Sequence, residues 1–220
     1  MSRTSNDVVL LLLMTVGVVS CASRQDLPPS TVYSAHTTSP ETYNYLIGPG
    51  DQLQIFVWRN PEVSQAVTVR PDGKITTPLV EDLQASGKTP NQLARDVEKA
   101  LETYVRQPIV TVMIANGIGP YSEQIRVIGQ VGLGAQTGQD GQVTKPQAIA
   151  YRQKMTLLDV MIAVGGLTQF ADGNKTRLLR VVEGQQKAYQ VRLGDLLNGD
   201  ISANVDMLPG DILIVPEAWF

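Results

Sequence analysis

The chain has 220 residues, of which 43% are hydrophobic, and its 18 basic and 21 acidic residues give a formal charge of −3. Such a chain can bury one substantial core or two small ones, and its scattered charges supply no basic field for nucleic acid. His36 is the only histidine and Cys21 the only cysteine, which excludes disulfides, His/Cys zinc sites and Ser-His or Cys-His catalysis from the folded body.

The first residues have the pattern of a secretory signal peptide. An apolar run over residues 8–19 is too short to cross a hydrocarbon layer of roughly 30 Å, since a spanning helix takes about 20 residues. The run closes at Val18-Val19-Ser20-Cys21, an ending that resembles the bacterial lipobox, in which the cysteine receives acyl chains. We predict a lipoprotein signal peptide over residues 1–20 and lipidation of Cys21; an ordinary signal peptide with an incidental cysteine is the alternative.

Residues 21–43 are rich in Ser, Thr and Pro and have no periodicity, so we predict a flexible tether. His36 lies in it and is interpreted as a solvated linker residue. If the bacterial sorting rule applies, Ala22 in place of an aspartate after Cys21 implies release to the outer membrane.

The strands of the first unit, residues 44–117, are predicted from alternation. The pattern predicts a strand over residues 53–58, followed by a hairpin of residues 67–70 and 74–80 across Asp72-Gly73. A third segment, rich in β-branched residues, predicts a strand over residues 109–114 after Pro108.

One helix is predicted between these strands. Thr89-Pro90-Asn91-Gln92 offers an N-cap, a proline at the first helical position and a capping-box glutamine. Apolar residues then recur at spacings of three or four, which predicts a buried face formed by Leu93, Val97, Leu101 and Tyr104.

The second unit, residues 118–220, opens with an alternating strand over residues 125–131. Residues 132–144 are glycine-rich and are interpreted as an exposed loop. A phosphate-binding loop is the alternative, but the stretch lacks Gly-Lys-Ser/Thr and no helix follows directly.

The rest of this unit has clear local signals. Thr156 with Asp159 predicts a capped helix that ends at Gly165-Gly166, and residues 176–182 and 187–193 predict a hairpin across Glu183-Gly184. With the last strand, these elements predict a small mixed sheet packed on its helix.

The tripeptide Pro-Gly-Asp occurs twice, each time before a strand. Proline presets φ at the second position of a turn, and glycine accepts the positive φ of a type II turn. An aspartate there can accept hydrogen bonds from nearby backbone N–H groups. We interpret the residues of both tripeptides as structural turns; they are Pro49, Gly50, Asp51, Pro209, Gly210 and Asp211. The alternative, that Asp51 and Asp211 form a carboxylate pair for glycoside hydrolysis, is not favoured, because the same turn sequence surrounds each of them.

Several motifs follow one another in order along the body. Those of the first unit are Tyr45-x-Ile47-Gly48-Pro49-Gly50-Asp51-x-Leu53, Val69-Arg70-Pro71-Asp72-Gly73-Lys74-Ile75 and, after the helix, Pro108-x-Val110-x-Val112. They resemble the polysaccharide export domain of bacterial outer-membrane exporters, the OPX family. The second unit is similar to the soluble-ligand-binding β-grasp (SLBB) module of that family through Val127-x-Gly129, Lys145-Pro146, Met155-Thr156-Leu157-Leu158-Asp159 and Gly165-Gly166-Leu167.

The resemblance covers about residues 43–220 and is closest to the short members that accompany exosortase systems. It implies an α+β fold in which a polysaccharide export domain precedes a β-grasp-like SLBB domain. It also implies a lipoprotein on the periplasmic side of the outer membrane that is not an enzyme and needs no cofactor or metal. Its implied partners are further copies in a ring, the exopolysaccharide and an inner-membrane chain-length regulator or co-polymerase.

Longer members of the family carry an amphipathic helix after the last domain, whereas here only residues 216–220 follow the last strand. We therefore expect no C-terminal membrane-spanning helix. Either a separate outer-membrane barrel completes the export path, or the ring serves as a periplasmic collar. Trp219 and Phe220 either dock such a barrel or the lipid interface, or fold back onto the core.

Two alternatives remain open at this point. The Pro-Gly-Asp segments also look like the start and end of a lysin motif, which would make the chain a peptidoglycan-binding lipoprotein. Lysin motifs are short and have a helix directly after the first strand, whereas here alternation continues through residues 52–58. A periplasmic polysaccharide lyase or hydrolase is the other alternative.

Overall fold

A computed structural model describes residues 42–132 and 146–219 of the chain. Within these ranges the chain forms ten strands and three α-helices. The strands are β1 (Gln52–Val57), β2 (Gln65–Thr68), β3 (Lys74–Thr77), β4 (Val80–Gln84), β5 (Val110–Asn116), β6 (Gln124–Gly129), β7 (Gln147–Ala150), β8 (Thr176–Val182), β9 (Gln185–Val191) and β10 (Ile212–Val215). The helices are α1 (Pro90–Leu101), α2 (Leu157–Val164) and α3 (Leu193–Leu197), and short 3₁₀ turns lie at Pro61–Val63, Gly173–Lys175 and Ile201–Ala203.

The first lobe, β1 to β5 with α1, is built around a three-stranded antiparallel sheet in the order β2-β1-β5. The alternation of β1 places Leu53, Ile55 and Val57 in a buried core, against Leu93 and the other apolar residues of α1. Each large apolar side chain buried in this way contributes about 1.5–3 kcal/mol. The other face of the sheet is not covered by α1.

The start of α1 is confirmed. The Thr89 side chain accepts a hydrogen bond from the Gln92 backbone, the Gln92 side chain accepts one from the Thr89 backbone, and Pro90 opens the helix. The prediction for Tyr104 is wrong, because α1 ends at Leu101 and the Tyr104 side chain is exposed.

The predicted hairpin of residues 67–70 and 74–80 is also wrong. The turn at Asp72-Gly73 does form, and the Arg70 N–H donates to the Lys74 carbonyl at 2.9 Å. However, β2 pairs with β1, whereas β3 pairs with β4 in a separate two-stranded sheet. Leu79 adopts a positive φ of 68° just after Pro78, and this turn sends the chain back along β3.

The second lobe, β6 to β10 with α2 and α3, contains a five-stranded sheet in the order β7-β6-β10-β8-β9. Strand β10 runs parallel to β6 and antiparallel to β8, which confirms a mixed sheet. The predicted hairpin of β8 and β9 is confirmed, with Glu183 and Gly184 at positive φ in its turn. A separate core fills this lobe, and α2 contributes Leu157, Val160, Met161 and Val164 to it.

Both ends of α2 agree with the sequence prediction. Thr156 and Asp159 form a reciprocal capping box, and Gly165 ends the helix in the left-handed conformation with a φ of 84°. Strand β7 and helix α3 were not predicted, since β7 has a single β-branched residue and α3 is too short to show a helical period. Strand β10 buries one face fully and the other only partly.

No helix among the described residues is long and apolar enough to cross a membrane. The order of strands and helices makes the fold a mixed α+β one with two cores.

Candidate functional site

The first Pro-Gly-Asp segment forms a tight turn that holds a buried carboxylate. The Asp51 N–H donates to the Gly48 carbonyl at 3.2 Å, and Gly50 takes the positive φ of 90° that a type II turn requires. The Asp51 side chain is fully buried, and one of its oxygens accepts from the Gly48 N–H at 2.8 Å. The aspartate therefore closes its own turn at the start of β1.

The same carboxylate also holds the segment that leads from β5 to β6. Its other oxygen, Oδ1, accepts from the backbone N–H groups of Ile118 and Gly119 at 2.7 and 3.0 Å. The backbones of Gly48 and Gly119 are so close that a Cβ on Gly48 would overlap Gly119. Asp51 thus connects the start of the first lobe's central strand to the segment between the two lobes.

Two tyrosines extend this network towards both cores. The Tyr45 hydroxyl donates to Asp51 Oδ2 at 2.5 Å, and burial, followed by this contact with Asp51, raises the pKa of Tyr45. Tyr43 packs edge to face on Tyr151 of the second lobe, with ring centroids 4.9 Å apart. Burial, followed by the charge of Glu123, raises the pKa of Tyr43 to about 12. Residues 43–51 therefore contact both lobes.

The second Pro-Gly-Asp segment repeats the local geometry with a different distant partner. The Leu208 N–H donates to Asp211 Oδ2 at 2.7 Å, and the Asp211 N–H donates to the Leu208 carbonyl at 3.2 Å. Arg180 of β8 binds the carboxylate with two nitrogens, Nε at 2.9 Å and Nη2 at 2.7 Å. Hydrogen bonding to Asp211 is the main cause that raises the pKa of Arg180.

Asp51 and Asp211 do not form one constellation. They precede strands of different sheets, and each carboxylate binds its own set of protein donors. Within residues 42–132 and 146–219, no group of three or more His, Cys, Asp or Glu side chains is placed to hold a metal ion.

Other predicted residues lie elsewhere. Cys21, His36, the loop at residues 133–144 and Phe220 are outside the described residues. Trp219 is described, and its side chain is 96% exposed, so it does not fold back onto the core.

The uncovered face of the first sheet is a surface that the sequence analysis did not single out. Phe56 and Trp58 project from it with exposed fractions of 42% and 54%, and their rings meet edge to face with centroids 6.4 Å apart. Met113 of β5 is also exposed there, opposite Gln54 of β1. Alternation of β1 was visible in the sequence, but which face α1 covers was not.

A second surface feature is a groove of about 580 Å³ between β7 and α2 in the second lobe. Arg152 and Lys154 line it together with Asp159 and the exposed side chain of Ile162. Hydrogen bonds from the Thr156 side chain and backbone lower the pKa of Asp159, which caps α2. The groove therefore offers two cations to a solute.

Comparisons with known proteins place these features in context. The chain matches the family model described as polysaccharide biosynthesis/export protein over residues 39–115 and the SLBB domain over residues 140–215. It is 25% identical over 198 residues to the EPS I polysaccharide export outer membrane protein EpsA of Ralstonia nicotianae. It is 24% identical over 190 residues to the capsule polysaccharide export protein BexD of Haemophilus influenzae.

These alignments cover 79% and 78% of this chain but only 47% and 43% of the two relatives. The chain thus spans about half the length of the curated relatives it matches. The comparisons give no support to a lysin motif. In the structure, β1 is followed by a 3₁₀ turn and a paired strand, and the two Pro-Gly-Asp strands belong to different sheets.

Proposed function

This chain belongs to the outer-membrane polysaccharide export family, and we propose that it is a lipid-anchored subunit of an oligomeric conduit for exopolysaccharide. The observation that carries the proposal is the order of the two domain matches, a polysaccharide export domain followed by an SLBB domain. Two relatives that share this region are named polysaccharide export proteins. The role is transport and not catalysis.

The proposed organisation follows the sequence prediction. A signal peptide over residues 1–20 directs secretion, Cys21 carries the lipid, and residues 21–43 form the tether. The polysaccharide export domain then spans residues 44–117, and the SLBB domain spans residues 118–220. More than one acyl chain on Cys21 would make attachment to the outer membrane stable.

The proposed partners are further copies of this chain in a ring, the exopolysaccharide and an inner-membrane chain-length regulator. A ring subunit must keep a fixed shape, because a small error in angle at each contact prevents closure. The Asp51 network and the Tyr43 contact with Tyr151 favour a fixed geometry around the segment between the lobes. The short exosortase-associated type is part of the same proposal.

A complementation experiment tests this function. A strain that lacks the protein is expected to lose surface polysaccharide, and the wild-type chain is expected to restore it. Cys21→Ser is expected to leave the protein in the periplasmic fraction, with impaired export. Ser20→Ala, a change at the neighbouring residue that keeps the cysteine, is the matched control and should restore export.

Immunoblots of whole cells must show equal total amounts of the variants, and immunoblots of the fractions then show where each variant lies. Unchanged surface polysaccharide in the deletion strain would contradict the export function. Full export by a Cys21→Ser chain found only in the periplasmic fraction would contradict the anchor alone.

A further inference from the structure

The uncovered face of the first sheet, called here the β1 face, combines aromatic rings with free hydrogen-bonding groups. It consists of the outward side chains of β1 and their neighbours on β2 and β5. Along β1 these side chains are Gln52, Gln54 and Phe56. Trp58 directly follows β1, and its backbone N–H donates a hydrogen bond to the carbonyl of Ile109, the residue before β5. Large aromatic side chains on an exposed sheet face mark an interaction surface.

The β1 face carries no formal charge. The residues paired with its β1 members are Ala66 and Thr68 on β2 and Thr111, Met113 and Asn116 on β5. Ion pairs of this lobe, such as Arg70 with Asp82 and Lys88 with Asp96, involve residues that are not on this face. An exposed face without charge offers little to an ionic partner and favours a neutral polar one.

The polar groups on the β1 face are available to a ligand. Within the described residues, the side-chain amides of Gln52 and Gln54, the Thr111 hydroxyl and the Trp58 indole N–H make no hydrogen bond to the protein. An amide both donates and accepts, and so does a hydroxyl, which matches the paired donor and acceptor character of a sugar hydroxyl. The face can therefore bind a polyol through several uncharged hydrogen bonds.

We propose that the β1 face binds the exported polysaccharide, with one sugar ring lying on Trp58 and hydroxyls of further sugar residues bonded to the Gln54 and Gln52 amides farther along β1. The inference rests on the proposed function, since it names the surface where the polymer contacts the conduit. The C–H face of a pyranose ring is apolar and packs on an aromatic face, while its rim is polar. The aromatic rings at the end of β1 match the apolar face of such a ligand, and the free amides towards the start of β1 match its polar rim.

Uncharged contacts also fit the requirements of transport. A polymer that moves through a conduit must be held weakly at each point, because tight binding would stop its movement. Stacking on one or two rings, supported by solvent-exchangeable hydrogen bonds, provides such weak contacts, and they do not depend on a charged group in every repeat unit. The Arg152 and Lys154 groove has the opposite character and would attract anionic sugars.

Trp58 and Trp219 are the only tryptophans in the sequence, so replacing one leaves the other as the single source of tryptophan fluorescence. In the Trp219→Ala variant, Trp58 becomes the single tryptophan, and its fluorescence reports on the β1 face. The probes are oligosaccharides prepared from polysaccharide that the wild-type strain secretes, and dextran fragments as a neutral comparison. Addition of the oligosaccharides is expected to shift or quench the Trp58 emission to saturation.

The affinity of two variants for the oligosaccharides, and the dependence of the affinity on salt, then locate the binding site. By calorimetry, Trp58→Ala is expected to bind the oligosaccharides about three- to tenfold more weakly, since an aromatic contact is worth up to about 1.5 kcal/mol. Trp219→Ala, the matched control at an exposed tryptophan of the second lobe, should bind as the wild type does. Raising NaCl from about 50 to about 500 mM should change the affinity less than twofold, because no ionic contact is screened.

Three results would overturn the inference. One is equal affinity of Trp58→Ala and wild type; another is binding that salt abolishes and that Arg152→Ala weakens. The third is loss of self-association by Trp58→Ala in light scattering without a change in oligosaccharide affinity, which would assign the face to contacts between copies. Export by the deletion strain separates the two proposals. If that strain still exports polymer, the proposed export function is wrong. If it does not, but a strain with Trp58→Ala binds and exports the polymer normally, only the assignment of the β1 face is wrong.

Discussion

Replacement of Asp51 by asparagine tests whether the buried carboxylate stabilises the first lobe. Its two oxygens accept from the backbone N–H groups of Gly48, Ile118 and Gly119 and from the Tyr45 hydroxyl. Asparagine has nearly the same shape, but one of its two acceptors becomes an NH₂ donor. In either orientation of the amide, at least one backbone N–H then faces a donor, and the other hydrogen bonds lose the charge that strengthens them.

The size of the effect follows from these contacts. A buried donor left without an acceptor costs about 1–3 kcal/mol, and a hydrogen bond to a charged group contributes about 1.5–3 kcal/mol. We therefore expect Asp51→Asn to lower the free energy of unfolding by about 3 kcal/mol. With a urea slope of about 2 kcal/mol per molar, the midpoint of unfolding would fall by about 1.5 M.

Urea titration of a Trp219→Phe background, followed by Trp58 fluorescence, measures unfolding of the lobe that contains Asp51. Asp82→Asn is the control, because that carboxylate is in the same lobe and has a charged partner, Arg70, but its side chain is 60% exposed. An exposed pair of this kind contributes about 0–1 kcal/mol. If Asp51→Asn lost no more stability than Asp82→Asn, the reasoning from buried charge would be refuted.

Three further predictions concern the same networks. Arg180→Ala leaves the buried Asp211 carboxylate without its charged partner and should lower the free energy of unfolding by about 3–5 kcal/mol. Arg192→Ala, at a side chain 52% exposed, is the control and should lower it by about 0–1 kcal/mol in the same urea titration. Equal losses in the two variants would contradict this contrast. Gly48→Ala should cost about 1–3 kcal/mol or more, because its Cβ overlaps the Gly119 backbone, and an unchanged melting temperature would contradict this. The Tyr43 pKa of about 12 lies above the unfolded value near 10, so its stabilising contribution should be complete below pH 10 and disappear as pH rises through 12. The difference between the ultraviolet titrations of the wild type and Tyr43→Phe gives the titration of Tyr43 itself. A midpoint near pH 10 for Tyr43 would contradict the prediction.

The starts of α1 and α2 and the end of α2 were predictable, because the signals for each lie within a few residues of one another. The Thr89 and Thr156 capping boxes each join residues three positions apart, and Gly165 ends α2 by its own left-handed conformation. None of these features depends on a distant partner. Local chemistry alone therefore located these three helix ends, but not the end of α1 at Leu101.

Strand pairing was less predictable, since each strand has more than one possible partner. The Asp72-Gly73 turn signal was correct, but β2 continues its pairing with β1 through the Val69 N–H, which donates to the Asp51 carbonyl. β1 is the central strand of its sheet, and it pairs with β2 at four positions, whereas the Asp72-Gly73 turn joins two segments that belong to different sheets. A contact between segments far apart in sequence thus overrides a local turn signal.

The β1 face illustrates a similar limit at the level of function. Alternation of β1 showed that its two faces differ, with Leu53, Ile55 and Val57 on one side. Phe56 and Trp58 could have been core residues by composition alone, because aromatic side chains are commonly buried. Only the packing of α1 on the opposite face leaves them exposed. Docking of a helix therefore decides which side chains of the sheet are exposed.

The repeated Pro-Gly-Asp segment shows how one local signal acquires two distant partners. In both copies the carboxylate accepts the N–H three residues earlier, from Gly48 or from Leu208. The remaining acceptor capacity of Asp51 holds the segment between the lobes, whereas that of Asp211 holds Arg180. A carboxylate whose lone pairs bind buried protein donors is poorly placed to take a proton from water or to give one to a glycosidic oxygen. We therefore interpret the repeat as two starts of a strand, each anchored to a different part of the fold.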